Sequence, residues 1–217
     1  MSACVVEVLL AARQVADFAR AEGATAVAST PRPSLDHMGA VVADAVLQAG
    51  LNYASVVRPR VTAILRNHPD AACVSALAAL VDRRGVAEFL DWAHPIKLGR
   101  FERLVRFLER SSVETSADLR TQLGRREFRE SLRKVDGIGP KTIDYLSCLV
   151  GIEAIAVDRH VRTYASRAGV QSHDYDFLRE VFCGAADLLS VSRGAFDAWI
   201  WRKESAAPAY AQLALSL

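Results

Sequence analysis

Along most of this chain the apolar positions recur with the period of a helix rather than alternating as they would in a strand. Cys4 to Glu22 reads as one amphipathic helix, closed by Gly23. Thr25 to Ser34, with Pro31 and Pro33, breaks the pattern and reads as a linker. Ser34 can cap a helix running to Gln48, with Gly50 as its stop. Another helix spans roughly Tyr53 to Arg66, where Pro59 either kinks it or marks its real start. Asn67 to Asp70 reads as a turn, with Asp70 capping Ala71 to Asp82. Short helices follow near Val86 to Trp92 and Leu98 to Arg110, and Thr115 or Ser116 can cap Ala117 to Leu123. Later helices are expected over Arg126 to Val135, Pro140 to Val150, Arg159 to Ala168, Tyr175 to Ser190 and Ala195 to Lys203. The pattern predicts an all-α fold of many short helices, without internal repeats.

Composition agrees with this. Of the 217 residues, 51% are hydrophobic and 24% charged, enough for one large core or two small ones and too apolar for a disordered chain. The apolar run Cys4 to Ala12 is followed at once by Arg13, Asp17 and Arg20, so it reads as a helix face rather than a signal peptide. No stretch is apolar enough to span a bilayer, and no membrane partner is expected. Cys4, Cys73, Cys148 and Cys183 are scattered and form no Cys-x-x-Cys, which suits reduced thiols better than disulfides or a metal site. No metal is expected, and a cytoplasmic, nucleoid-associated monomer is.

The net charge of +2 says little about partners, but its distribution says more. Between Lys97 and Lys141 twelve Lys and Arg face seven Asp and Glu. That excess suits either solvated helix faces, since Glu102/Arg106 and Glu130/Lys134 stand four residues apart, or a surface for DNA.

The segment Leu132-Arg133-Lys134-Val135-Asp136-Gly137-Ile138-Gly139-Pro140-Lys141-Thr142 is the most informative part of the chain. Gly137 and Gly139 permit positive φ and close approach to the backbone, while Ile138 between them can plug inward. Pro140 suits the first helical position, where its missing N–H costs nothing. A tight loop opening into a helix presents outward N–H groups with the positive end of the helix dipole behind them, a site for phosphate. An ordinary corner between two helices would use the same glycines and proline, and the added Pro-Lys-Thr favours the phosphate site.

Lys141 falls in the first turn of the second helix, where the helix dipole opposes a cation and favours the neutral amine that a Schiff-base nucleophile needs. A lysine that merely grips a phosphate fits the position as well. Asp158, in Val157-Asp158-Arg159-His160, is well placed as an N-cap, and a capping carboxylate of fixed direction can also serve in catalysis.

Gly137-Ile138-Gly139-Pro140-Lys141 followed by Val157-Asp158-Arg159-His160 resembles the helix-hairpin-helix and Gly/Pro-Asp signature of the endonuclease III superfamily of DNA glycosylases. The specific likeness covers about residues 126–168, and a looser one in helix order covers about 35–205. The resemblance implies two helical domains with the active site in the cleft between them. One is a six-helix barrel over 35–151 containing the helix-hairpin-helix, and the other is built from 1–34 and 152–217. It implies that Lys141 matches the lysine of members with lyase activity, that Asp158 matches the superfamily's aspartate, and that His160 contacts phosphate beside a flipped nucleotide. Gln48, Asn52 and Tyr53 fall where relatives fill the gap left by the flipped base. Tyr53 and Tyr145 are candidates for the base pocket, Tyr145 equally for an ordinary amphipathic position. The implied partner is double-stranded DNA carrying a damaged base or an abasic site. A monovalent cation on the hairpin backbone is a further implication.

The chain departs from many relatives in one respect. Past Asp158 it has only Cys183, so it cannot build their four-cysteine iron–sulfur cluster, and no such cofactor is expected. That moves the resemblance towards cluster-free branches and leaves the lesion open. The segment Ala195 to Lys203 is expected to pack in place of the missing module, with Trp199 and Trp201 in the core rather than stacking on bases. Three functions remain in view: a glycosylase with lyase activity through Lys141, a glycosylase in which Asp158 activates water and Lys141 grips the backbone, and a non-catalytic DNA-binding module.

Overall fold

The structure, a computed structural model, describes residues 4–24 and 34–206. All regular elements among the described residues are helical. The chain divides into two compact units, Pro33–Ile152 and Met1–Arg32 with Glu153–Leu217. Of the Pro-rich stretch read as a linker, only Ser34 lies within the described residues.

The unit Pro33–Ile152 is built round helix α2, Met38–Leu47, in which all ten residues are buried. A helix apolar on every side is stable only when other helices surround it. Around it come α3 (Arg58–Asn67), α4 (Val74–Arg84), α5 (Val86–Leu90), α6 (Pro95–Arg110), α7 (Ser116–Leu123), α8 (Arg126–Leu132) and α9 (Pro140–Leu149). Val41, Leu77, Phe101, Leu104, Leu119, Leu132 and Leu146 belong to its single apolar core. Burial of such side chains stabilises by about 1.5–3 kcal/mol each before chain entropy is set against it.

Two helix starts differ from expectation. The cap of α2 is His37, whose Nδ1 accepts from the Ala40 amide at 3.1 Å, and not Ser34. Asp70 lies inside a 3-10 turn, Pro69–Ala72, and α4 begins only after Cys73, without a side-chain cap. The Val74 amide instead donates to Glu114 O at 2.9 Å, so a tertiary contact does what a local cap was expected to do. Pro59 marks a true start: α3 begins at Arg58, after a π-type turn over Tyr53–Val57.

The other unit holds α1 (Val5–Ala21), α10 (Arg159–Arg167), α11 (Tyr175–Leu189) and α12 (Arg193–Ala206). Its core stacks Phe196 on Trp199 and sets Tyr164 edge-on to Phe18, Phe182 and Trp199. Arg167 bonds both Glu22 and Glu204, tying the ends of α1 and α12 to α10. Among the described residues no helix is long and apolar enough to cross a membrane.

Candidate functional site

In the unit Pro33–Ile152, α2 and α9 meet through two polar rungs in otherwise apolar surroundings. Lys141 and Tyr145 stand four residues apart on α9, and Asp44 and Gln48 stand four apart on and just after α2. That spacing places each pair on one face of its helix. Lys141 Nζ donates to Gln48 Oε1 at 3.1 Å. Tyr145 Oη donates to Asp44 Oδ1 at 2.9 Å, and Tyr53 Oη donates to Asp44 Oδ2 at 3.0 Å. Asp44 is only 2% exposed, and the two phenols supply the hydrogen bonds that a buried carboxylate needs.

A second lysine backs this arrangement. Lys97, in the first turn of α6, is buried, and its Nζ donates to Val46 O and Ala49 O, both at 2.6 Å. Those carbonyls lie at the C-terminal end of α2, where carbonyls lack helical partners and the dipole is negative. Burial, and then the positive charges of Arg100 and Lys141, push the Lys97 pKa down to about 8.

The turn at 133–139 joins α8 to α9. Its backbone closes through Lys134 N to Ser131 O and Val135 N to Leu132 O, both 3.1 Å, and Ile138 N to Val135 O at 3.0 Å. Ile138 is buried in the core. The two glycines do different things. Gly137 has φ +82°, the left-handed region that favours glycine. A Cβ there would also sit 2.6 Å from Arg100 Cγ and 2.7 Å from Arg100 Cδ, so the Arg100 side chain of α6 lies across this residue. Gly139 has φ −96° and ψ 178°, extended backbone open to any residue, and a Cβ there would meet nothing within 4 Å. Positive φ is therefore a requirement of Gly137 alone. What Gly139 contributes is clear approach to the start of α9, where Pro140 occupies the first turn. Arg103 pairs with Asp136 at 3.0 Å, a second tie from α6 to the turn.

Asn52 is exposed and caps the π-type turn, accepting from Ser55 N at 3.0 Å. It takes no part in the two rungs, whereas Gln48 and Tyr53 do.

The other unit holds Asp158 and His160. Asp158 caps α10, and Oδ1 accepts both His160 N at 2.8 Å and Val161 N at 3.1 Å. Oδ2 takes no part in the cap. His160 packs edge-on to Trp201 with ring centres 6.2 Å apart. The expectation that both tryptophans enter the core holds for Trp199 alone. Trp201 is 42% exposed, two residues along the same helix and so on another side of it.

A family model described as a domain of unknown function, DUF8548, matches residues 12–205. The chain belongs to this family. No curated protein and no solved structure matches the chain.

In this DUF8548 chain two site residues escaped the sequence reading, Asp44 and Lys97. Each left a signal. Asp44 is the lone charge in the apolar run Met38-Gly-Ala-Val-Val-Ala-Asp-Ala-Val-Leu47. A charge at the centre of a wholly apolar helix needs a partner inside the core. Lys97 is one of four lysines, beside Lys134, Lys141 and Lys203, in a chain with 27 Lys and Arg. Where arginine is the usual cation, a lysine marks a place that uses an amine.

Proposed function

We propose that the chain is a base-excision DNA glycosylase with AP lyase activity, binding duplex DNA through a helix-hairpin-helix formed by α8, the turn and α9. The observation that carries this reading is the setting of Lys141. Its amine stands at the start of α9 with Gln48 as hydrogen-bond partner, next to the Asp44–Tyr53–Tyr145 cluster. Gly139, two residues away, adds no side chain of its own at that helix start, and a Cβ there would meet nothing within 4 Å. An amine in the first turn of a helix whose preceding residue carries no side chain fits a nucleophile that works on a DNA backbone sugar.

In this chemistry the target nucleotide leaves the stack, at a cost of a few kcal/mol that damage or mispairing reduces. The neutral Lys141 amine gives its electron pair to C1′ of the deoxyribose. The glycosidic C–N bond breaks, and the base leaves with that bonding pair and takes up a proton. The C1′–O4′ bond then breaks with its electron pair on O4′, which takes up a proton lost from the attached nitrogen, giving a protonated Schiff base and a ring-opened sugar. Loss of a C2′ proton then drives the C3′–O bond to break, nicking the strand with the phosphate as leaving group. Asp158 is the carboxylate that stabilises positive charge on the sugar or accepts a proton. Its cap geometry leaves Oδ2 outside the helix bonds.

A second reading is favoured by the Lys141–Gln48 bond itself. A lysine held by an amide suits a backbone grip, with Asp158 activating water and no covalent step. Duplexes bearing oxidised, deaminated, alkylated or abasic sites separate the readings. Base release with a strand nick supports the lyase, and base release with an intact strand supports water. Binding without either removes both. Asp158→Asn, which keeps a capping oxygen, is expected to cut turnover at least tenfold while changing duplex affinity less than threefold, on the scale of about 10²–10⁴-fold for a lost general base. Equal losses in both would leave Asp158 as a cap only.

A further inference from the structure

The inner side of helix α1 is uniform and its outer side is not. Ala12, Val15, Ala16 and Ala19 are buried in the unit that α1 belongs to. On the outer side, Asp17 pairs with Arg13 at 2.9 Å and with Arg20 at 2.6 Å, so the C-terminal half is charged and internally matched. The N-terminal half carries Val5, Val6, Leu9 and Leu10 instead, between 60% and 72% exposed. They are the four most exposed large apolar side chains among the described residues. Spaced one, four and five residues apart, they form one patch over two turns. A single exposed leucine is ordinary, whereas four side chains in one patch mark a surface that something covers.

The sequence holds a segment of matching chemistry. Residues 207–217, Ala-Pro-Ala-Tyr-Ala-Gln-Leu-Ala-Leu-Ser-Leu, follow α12 without one charged side chain, in a chain that is 24% charged. Segments that remain in water are polar and charged, and this one has the composition of buried chain.

We propose that residues 207–217 dock on the exposed patch of α1 in the same chain, setting Tyr210, Leu213, Leu215 and Leu217 against Val5, Val6, Leu9 and Leu10. This goes beyond the proposed function and does not depend on it.

The connection is short enough. Arg167 bonds both Glu22 and Glu204, so α12 ends beside the far end of α1. From Glu22 back to Leu9 is about 20 Å of helix, and back to Val5 about 26 Å. Leu213 stands nine residues past Glu204 and Leu217 thirteen, which extended chain carries up to about 30 Å and about 43 Å. The surplus lets the segment pass round α1 to its outer side.

The size of the patch favours a tethered occupant over a second copy. Four such side chains expose on the order of 400 Å², half of the roughly 800 Å² that each partner of a stable complex buries. A segment joined to the same chain is present at an effective concentration of about millimolar, so a smaller contact holds it.

Hydrogen exchange read by mass spectrometry on the full chain tests the contact. In Leu213→Ser/Leu217→Ser, the peptide covering Val5 to Ala12 is expected to exchange about tenfold faster than in the wild type, the scale set by burying one leucine. Peptides from α9 are expected to stay unchanged. Unchanged exchange over Val5 to Ala12 overturns the proposal. Thermal midpoints give a second reading. Leu9→Ser/Leu10→Ser and Leu213→Ser/Leu217→Ser are each expected to lower the midpoint by about 2–4 °C, and the four changes together by no more than the larger of the two. Additive losses overturn the proposal. So does a wild-type dimer in sedimentation that Leu9→Ser/Leu10→Ser dissociates, which gives the patch to a second copy. Flotation of the wild type with phosphatidylcholine vesicles, lost in the same variant, gives it to a lipid surface and overturns the proposal as well. The exchange measurement alters residues 213 and 217 alone, so it decides even if the α1 variant does not fold.

Discussion

Helix α9 carries polar side chains into the interior on two sides, and the two sides are built from different chemistry. On one, Asp144 pairs with Arg129 of α8, and Arg129 Nη1 donates to Ser147 Oγ at 3.1 Å. On the other, Lys141 meets Gln48 and Tyr145 meets Asp44. The guanidinium side holds a charge that never titrates, matched to a carboxylate that is 2% exposed. The lysine side holds an amine and two phenols, the phenols bonded to a second carboxylate, Asp44, that is equally buried. A fold that only needed to join α9 to its neighbours has that join in Arg129. The amine side is the one that the proposed chemistry would use.

If this contrast is real, the two sides respond differently to damage. The largest effect is expected from Arg129→Leu, which removes the guanidinium from the buried Asp144 carboxylate. Breaking a buried pair in this way costs about 3–5 kcal/mol, and because Arg129 itself is 27% exposed the low end applies. Denaturant unfolding showing less than about 1 kcal/mol of loss would mean the pair is idle and the contrast false. Smaller is the difference between the two glycines of the turn. Gly137→Ala forces a left-handed φ on alanine, costing about 1–2 kcal/mol, and meets Arg100 besides. Gly139→Ala, at φ −96° facing open space, is expected to stay within about 0.5 kcal/mol of the wild type yet weaken duplex binding. Equal thermal shifts, or normal DNA affinity in Gly139→Ala, would break that division of labour.

Comparable in size to the Arg129→Leu loss is a pH dependence. With Lys97 lowered from 10.5 to about 8, the unfolded chain binds more protons than the folded one between those values. Stability relative to Lys97→Met therefore rises with pH across that window, and the difference is flat below it, where both states are protonated. A difference that falls as pH rises through the window contradicts the burial of a charged Lys97. Urea unfolding at several pH values reads it directly.

Much of the fold was legible because helix faces and breakers are local. Gly23, Pro59, Pro140 and Asp158 mark real helix ends. His37 was not legible as a cap, because its ring accepts an amide only once the backbone has turned at that residue. Asp70 misled for the complementary reason, since the contact from Val74 N to Glu114 O spans forty residues and has no local signature. At the site, Lys141, Tyr145, Gln48 and Tyr53 were visible as candidates. Their hydrogen bonds were not, because they depend on how α2 and α9 pack. Asp44, the residue that both tyrosines bond, lay hidden in a run so apolar that it read only as core. Trp201 shows the opposite failure. Its aromatic bulk suggested burial, and its place on α12 left it beside His160 and half exposed.

The central claim is that the titratable side of α9 exists for covalent chemistry at Lys141. Borohydride trapping on a duplex with an abasic site tests it most directly, using wild type, Lys141→Gln and Lys134→Gln. The expected result is a covalent protein–DNA adduct formed by wild type and by Lys134→Gln, and absent in Lys141→Gln although that variant still binds the duplex. An adduct that persists in Lys141→Gln, or no adduct from a wild-type protein that binds the abasic duplex, would contradict the claim.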